Sequence, residues 1–161
     1  MLYGNKFTPI GRDLLTDPII EFKYIFKDIL PLQHAQNTAA RIVSRTRKFN
    51  HITPVLINLH WLPVVFRIQY KTLLITYKAL HDSTPTYISD LIHRKPISCT
   101  LRSNDKDLLH VPQCRLKTYG ERAFSRAAPL NWNNLPLEIR QSSSLDNFKK
   151  SVKTHLFERA Y

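Results

Sequence analysis

Three times in this chain a proline stands where an apolar stripe of helical spacing begins: Pro54 after Thr53, Pro63 ahead of Val64, and Pro85 after Ser83-Thr84. Proline suits the first turn of a helix, where its missing N–H has no intrahelical partner to lose, and it is costly further in. A chain punctuated in this way reads as a set of helices with defined starts. Glycine adds a second constraint. Only Gly4, Gly11 and Gly120 occur, and no two lie close enough to build a phosphate-cradling loop of the dinucleotide or P-loop type. Nucleotide-cofactor folds are thereby excluded.

The apolar spacing places the elements. Leu32, Ala35, Ala39 and Ile42/Val43 draw one stripe, which predicts a helix over about 32–47 ending in a cationic patch. Thr53 is expected to cap a short helix that starts at Pro54 and ends at Leu59. Pro63 opens what should be the longest helix, about 64–81. Its wide face of Val64, Ile68, Leu73 or Leu74, Tyr77 and Leu80 implies packing from two sides, so this helix is expected at the centre. A further helix is expected from Thr86 to His93, then a loop over 94–106 rich in turn residues. Leu108–Val111 and Arg115–Thr118 flank Pro112 and predict a small hairpin. Thr118 should cap a helix over Gly120–Ala128 that ends near Pro129, followed by a helical turn in Leu130–Leu135. Ser144 then caps a last helix carrying Leu145, Phe148, Val152 and Leu156 at spacings of three and four. The fold class expected is mainly α: a small helical domain with one short β-hairpin near 108–118.

At 161 residues, 43% of them hydrophobic, the chain is the size of one domain and can bury its own core. Charge divides it. Residues 1–30 hold four cations (Lys6, Arg12, Lys23, Lys27) and four acids (Asp13, Asp17, Glu21, Asp28), so the whole net charge of +12 lies in residues 31–161. We therefore expect a leader over 1–30, weakly packed or with one helix over Pro18–Leu30, and a basic helical domain over 31–161. The N-terminus lacks the charged start and apolar run of a secretory signal, and no apolar stretch approaches the roughly 20 residues that span a bilayer. An intracellular protein, nuclear or cytoplasmic and without membrane contact, is the expectation. Cys99 and Cys114 fit reduced thiols in such a compartment.

Catalytic signals are weak. Phosphoryl transfer needs carboxylates gathered around metal ions, yet the twelve acids are scattered and only Asp105 and Asp107 form a close pair, in a polar loop. The seven histidines (His34, His51, His60, His81, His93, His110, His155) include no HxxxH pair, and there is no CxxC, so each reads as a cap, core-edge or surface residue. We expect no enzyme, no metal and no cofactor in this chain. The cations are more informative. Arg41, Arg45, Arg47 and Lys48 cluster after the first stripe; Arg94, Lys95, Arg102, Arg115, Lys117, Arg122 and Arg126 surround the expected hairpin; Lys149, Lys150, Lys153 and Arg159 lie opposite the last stripe. Charge on a helix face is usually solvated surface, but an excess this large points to a polyanionic partner, RNA or DNA. Tyr119 and Phe124 beside these cations could stack bases, although such rings more often fill a core.

Longer motifs carry a resemblance. Gln36-Asn37, Ala39-Ala40-Arg41, HITPVL at 51–56, LHWLPV at 59–64, Arg67-Ile68 and TYKALH at 76–81 are followed by LRS at 101–103, Pro112, Arg115 and Thr118. GERAFSRAAP at 120–129, WNNLP at 132–136, Ile139-Arg140 and FKKSVKTHLF at 148–157 complete the series. In this order and spacing, from about Leu32 to Ala160, the chain resembles the region downstream of the reverse transcriptase domain in animal non-LTR (LINE-type) retrotransposon polyproteins. Two positions depart from the family pattern: Asn131 stands where an apolar residue is usual, and Arg126 where a small one is. The paired aspartates of the polymerase are missing, and the leader does not resemble it. The resemblance implies a helical, non-catalytic accessory region that helps hold template RNA or target DNA during target-primed reverse transcription. Two alternatives stand beside it: a helical interaction module that packs on the polymerase domain, and a retrotransposon remnant without function. Trp61 and Trp132, next to Pro63 and Pro136, read as core anchors beside helix boundaries.

Overall fold

The structure, a computed structural model, describes residues 26–96, 107–114 and 120–161. Most of the expected leader, residues 97–106 of the loop expected over 94–106, with Arg102 and Asp105, and residues 115–119 with Arg115, Lys117, Thr118 and Tyr119 lie outside the described residues. Within them the chain is mainly helical, as its spacing predicts. The elements are α1 (Phe26–Ser44), α2 (Thr53–Asn58), α3 (Val64–Leu80), α4 (Thr86–Ser89), α5 (Phe124–Asn133), α6 (Leu137–Arg140) and α7 (Leu145–Ala160).

Helix α3 is central: α1, α4, α5 and α7 all pack on it. Pro63, extended at φ −53° and ψ 152°, sets its start. The residues that reach the core are Leu73, Thr76, Tyr77 and Ala79, all buried. Tyr77 stacks on Phe148 of α7 at 4.3 Å between ring centres, and its hydroxyl donates to the Ser142 carbonyl at 2.9 Å. Trp132 of α5 also meets Phe148, with ring centres 5.8 Å apart, and its indole N–H donates to the Asp107 carbonyl at 2.9 Å. Burying a large apolar side chain contributes roughly 1.5–3 kcal/mol. Trp132, Phe148, Leu73, Leu109, Val152 and Leu156 all lie at or below 2% exposure, so this cluster is the main source of stability. Helix α7 supplies three of them because Phe148, Val152 and Leu156 recur at four-residue spacing. Ser144, in extended conformation, caps that helix by accepting from the Asn147 N–H.

Several elements differ from their expected bounds, each for a local reason. Helix α1 starts at Phe26, not Leu32, and crosses the expected leader boundary; at 19 residues it is longer than the 17-residue α3. Pro31 removes the donor that the Lys27 carbonyl would use, but Ile29 is buried and holds the first turns to the body. The same helix stops at Ser44 instead of 47, because Arg45 adopts φ 52° and the N–H groups of Arg45 and Thr46 turn back to the carbonyls of Ile42 and Arg41. Thr53 is the first residue of α2 rather than its cap. Helix α4 ends at Ser89, short of His93, since His93 and Lys95 are drawn into pairing: His110 N–H donates to the His93 carbonyl, and Lys95 N–H to the Leu108 carbonyl. Helix α5 begins at Phe124 and continues through Pro129 to Asn133, joining the expected helix and turn. Pro129 is itself fully buried, and that packing offsets its missing hydrogen bond.

Of the expected hairpin, residues 115–118 are outside the described set. The other half forms an antiparallel bridge, Leu109 with Arg94. The amide and carbonyl of Leu109 are both taken by the Asn133 side chain at 2.9 Å, which ties this strip to α5.

Candidate nucleic-acid interface

The cationic clusters sit on separate elements, and the structure sorts them by what each side chain touches. At the end of α1, the guanidinium of Arg41 donates to the Arg47 carbonyl at 2.8 Å, and Asn50 N–H donates to the same carbonyl at 3.1 Å. Ser44 and Thr46 share a hydroxyl contact at 2.6 Å, and the Ser44 hydroxyl also donates back to Ala40. Arg41 is thus a half-buried clasp, while Arg45, Arg47 and Lys48 project from the turn it closes and are exposed. Cations at a helix C-terminus also favour the helix itself by roughly 0.3–1 kcal/mol.

The second cluster does not assemble into one patch. Arg94 pairs with Asp107, and Arg126, half-buried, donates to the Pro112 carbonyl at 2.7 Å with the Glu121 carboxylate at 4.0 Å. Arg126 therefore acts in this structure as an internal tie between α5 and the 107–114 strip, and Phe124 packs against the core. Lys95 and Arg122 are exposed; Arg102, Arg115 and Lys117 lie outside the described residues. In the third cluster Lys149 donates to Asp146 at 2.9 Å, and this bond holds the Asp146 carboxyl below its usual range. Lys150 and Lys153 stand exposed on the same helix.

Three features were not expected as site residues, although Arg67 and Arg140 stand in motifs of the resemblance. Phe49 is 95% exposed within the basic turn; its signal was an aromatic in the run RTRKFNH that belongs to no stripe. Arg67 and Lys71, one turn apart on α3, line a groove of about 690 Å³ between α1 and α3, floored by Leu32, Ala35, Ala39, Ile68 and Ile75. Trp61 lines this groove and is only half-buried, whereas Trp132 is fully buried, so the two tryptophans have different surroundings. Pro63 and Pro136 each sit immediately before a helix, α3 and α6. The third is Arg140, buried with its Nε donating to the Leu135 carbonyl; burial pushes its pKa down, opposed by the charge of Asp107.

The histidines are distributed through the structure. His81 contacts the Tyr77 carbonyl and stacks on the Tyr77 ring, His60 stacks on Phe157, and burial pushes the His155 pKa down. Among the described residues no group of three or more His, Cys, Asp or Glu side chains could hold a metal, and no helix is long and apolar enough to cross a membrane. No protein-family model, curated protein or solved structure matches the chain.

Proposed function

We propose that this chain is a non-catalytic accessory module that binds RNA or single-stranded DNA through phosphate contacts, with little sequence preference. One observation carries the reading. With the four cations and four acids of the leader set aside, residues 31–161 hold twenty cations and eight acids, an excess of twelve cations. Arg45, Arg47, Lys48, Lys95, Lys150 and Lys153 stand exposed among them. Phosphates are the abundant polyanion that neutralises such a surface, and phosphate contacts position a strand without reading bases. The resemblance to non-LTR retrotransposon polyproteins supplies the context: a region that follows the polymerase and holds template RNA or target DNA.

The groove between α1 and α3 favours a second reading, a module that docks a helix. Its apolar floor and the cations Arg67 and Lys71 select an acidic amphipathic helix, which a polymerase domain could present. A titration of the folded chain with fluorescent single-stranded RNA at near-physiological salt separates the two. Saturable binding that an acidic amphipathic peptide does not displace supports the nucleic-acid reading. Binding no stronger than to a neutral polymer removes it and leaves the docking module or an inert remnant.

A further inference from the structure

We propose that Phe49 is a base-stacking platform for single-stranded nucleic acid, with Arg45, Arg47 and Lys48 holding the phosphates on either side of the stacked base. The inference rests on the nucleic-acid reading and assigns it a site. Phe49 is the most exposed of the large hydrophobic residues described, at 95%, while Phe148 and Trp132 are wholly buried. Leaving such a ring in water forgoes the stabilisation of burial, and Phe49 sits in the densest run of cations in the described chain: three of the four residues before it are Arg45, Arg47 and Lys48.

The turn that carries the ring is built rather than slack. Arg45 takes a left-handed backbone angle, φ 52°, that ends α1 and redirects the chain. The Arg41 guanidinium and the Asn50 N–H both donate to the Arg47 carbonyl, closing the turn from both sides. A pinned turn presents ring and charges with little ordering left to do on binding. An aromatic face with flanking cations is the combination that sequence-tolerant single-strand binding uses, since every base has a π-face and every nucleotide a phosphate. Ile42 and Val43 nearby are also exposed, at 72% and 62%, and would suit a protein partner. Such a partner would have to desolvate the neighbouring cations, which a polynucleotide neutralises instead.

The test compares short fluorescent oligo(dT) with an abasic oligonucleotide of equal length, which keeps the phosphates and removes the rings. The wild-type chain should bind oligo(dT) more tightly than the abasic strand. Phe49→Ala should lower oligo(dT) affinity roughly five- to 150-fold, the equivalent of the ~1–3 kcal/mol per stacked base, with affinity for the abasic strand and the salt dependence unchanged. Phe49→Leu, which keeps the apolar surface without the π-face, should behave like Phe49→Ala, and Phe49→Trp should restore binding. Circular dichroism and the urea midpoint of each variant should match wild type, because the ring is exposed. Full oligo(dT) affinity in Phe49→Ala, with steep salt dependence intact, overturns the platform and leaves the nucleic-acid reading standing. Full affinity in Phe49→Leu overturns it in favour of an apolar contact. Absence of binding by the wild-type chain to both strands overturns the platform together with the reading beneath it.

Discussion

Arg45, His60 and Asp82 hold left-handed backbone angles at the ends of α1, α2 and α3, with φ of 52°, 53° and 51°. After each of them the next N–H reaches back five residues, Thr46 to Arg41, Trp61 to Leu56 and Ser83 to Lys78, to satisfy a carbonyl that the helix leaves open. Glycine is the usual occupant of this position, because a Cβ in left-handed geometry costs about 1–2 kcal/mol. In a chain with three glycines, other residues bear that strain. Asp82→Gly should therefore raise stability by about 0.5–1 kcal/mol, the strain relief less the extra freedom glycine gives the unfolded chain, read from the urea midpoint at unchanged slope. At His155, burial and the charge of Arg159 lower the pKa, and Glu158 opposes them only in part. The unfolded chain then takes up a proton at this site before the folded chain does. Stability is fully present above the unfolded pKa of about 6.5 and declines as pH falls through it toward the folded value. The denaturation midpoint of wild type should drop between about pH 7.5 and pH 5.5 by more than that of His155→Gln; equal drops would place the proton uptake elsewhere.

Helix starts and helix stops were unequally legible at the scale of the element. Pro63, Pro85 and Ser144 mark starts that the structure keeps, because fixed φ and a side-chain acceptor are properties of the residue itself. The stops at Ser44 and Ser89 carry no such mark: one depends on Arg45 adopting a conformation it does not prefer, the other on residues 93–95 pairing with 108–110, far along the chain. Pro129 misled in the opposite sense, since the helix expected to end near it runs through it and is held together by tertiary burial; Pro31 likewise lies inside α1. Spacing on α3 identified Leu73 and Tyr77 as core but also included Ile68, which is 44% exposed and faces the groove with α1. A stripe shows that a face is apolar, not what covers it. Tyr77→Ala should cost about 2–5 kcal/mol, as large-to-small changes in a packed core do, whereas Ile68→Ala should stay within about 0.5 kcal/mol if solvent covers that face. A large loss at Ile68, measured by urea denaturation, would mean that the groove is filled in solution.

For the whole molecule, the cation excess was visible from composition, but its distribution was not. Arg94, Arg126 and Lys149 have carboxylate neighbours, and Arg41 is turned inward as a clasp, because burial and local geometry decide which charges remain for a partner. The cations exposed among the described residues fall at the α1 turn (Arg45, Arg47, Lys48), along α3 (Arg67, Lys71, Lys78) and along α7 (Lys150, Lys153), with Arg94, Lys95 and Arg122 outside these three groups. In the proposed function these charges bind nucleic-acid phosphates. The most direct measurement is the slope of log K against log salt for single-stranded RNA, in wild type and in a variant with Arg45, Arg47 and Lys48 each changed to Glu. For about five phosphates neutralised, at roughly −0.7 per contact, wild type should give a slope near −3.5. The variant should give a flatter slope with an unchanged circular dichroism spectrum. A slope near zero in wild type, or one that the charge reversal leaves unaltered, would contradict it.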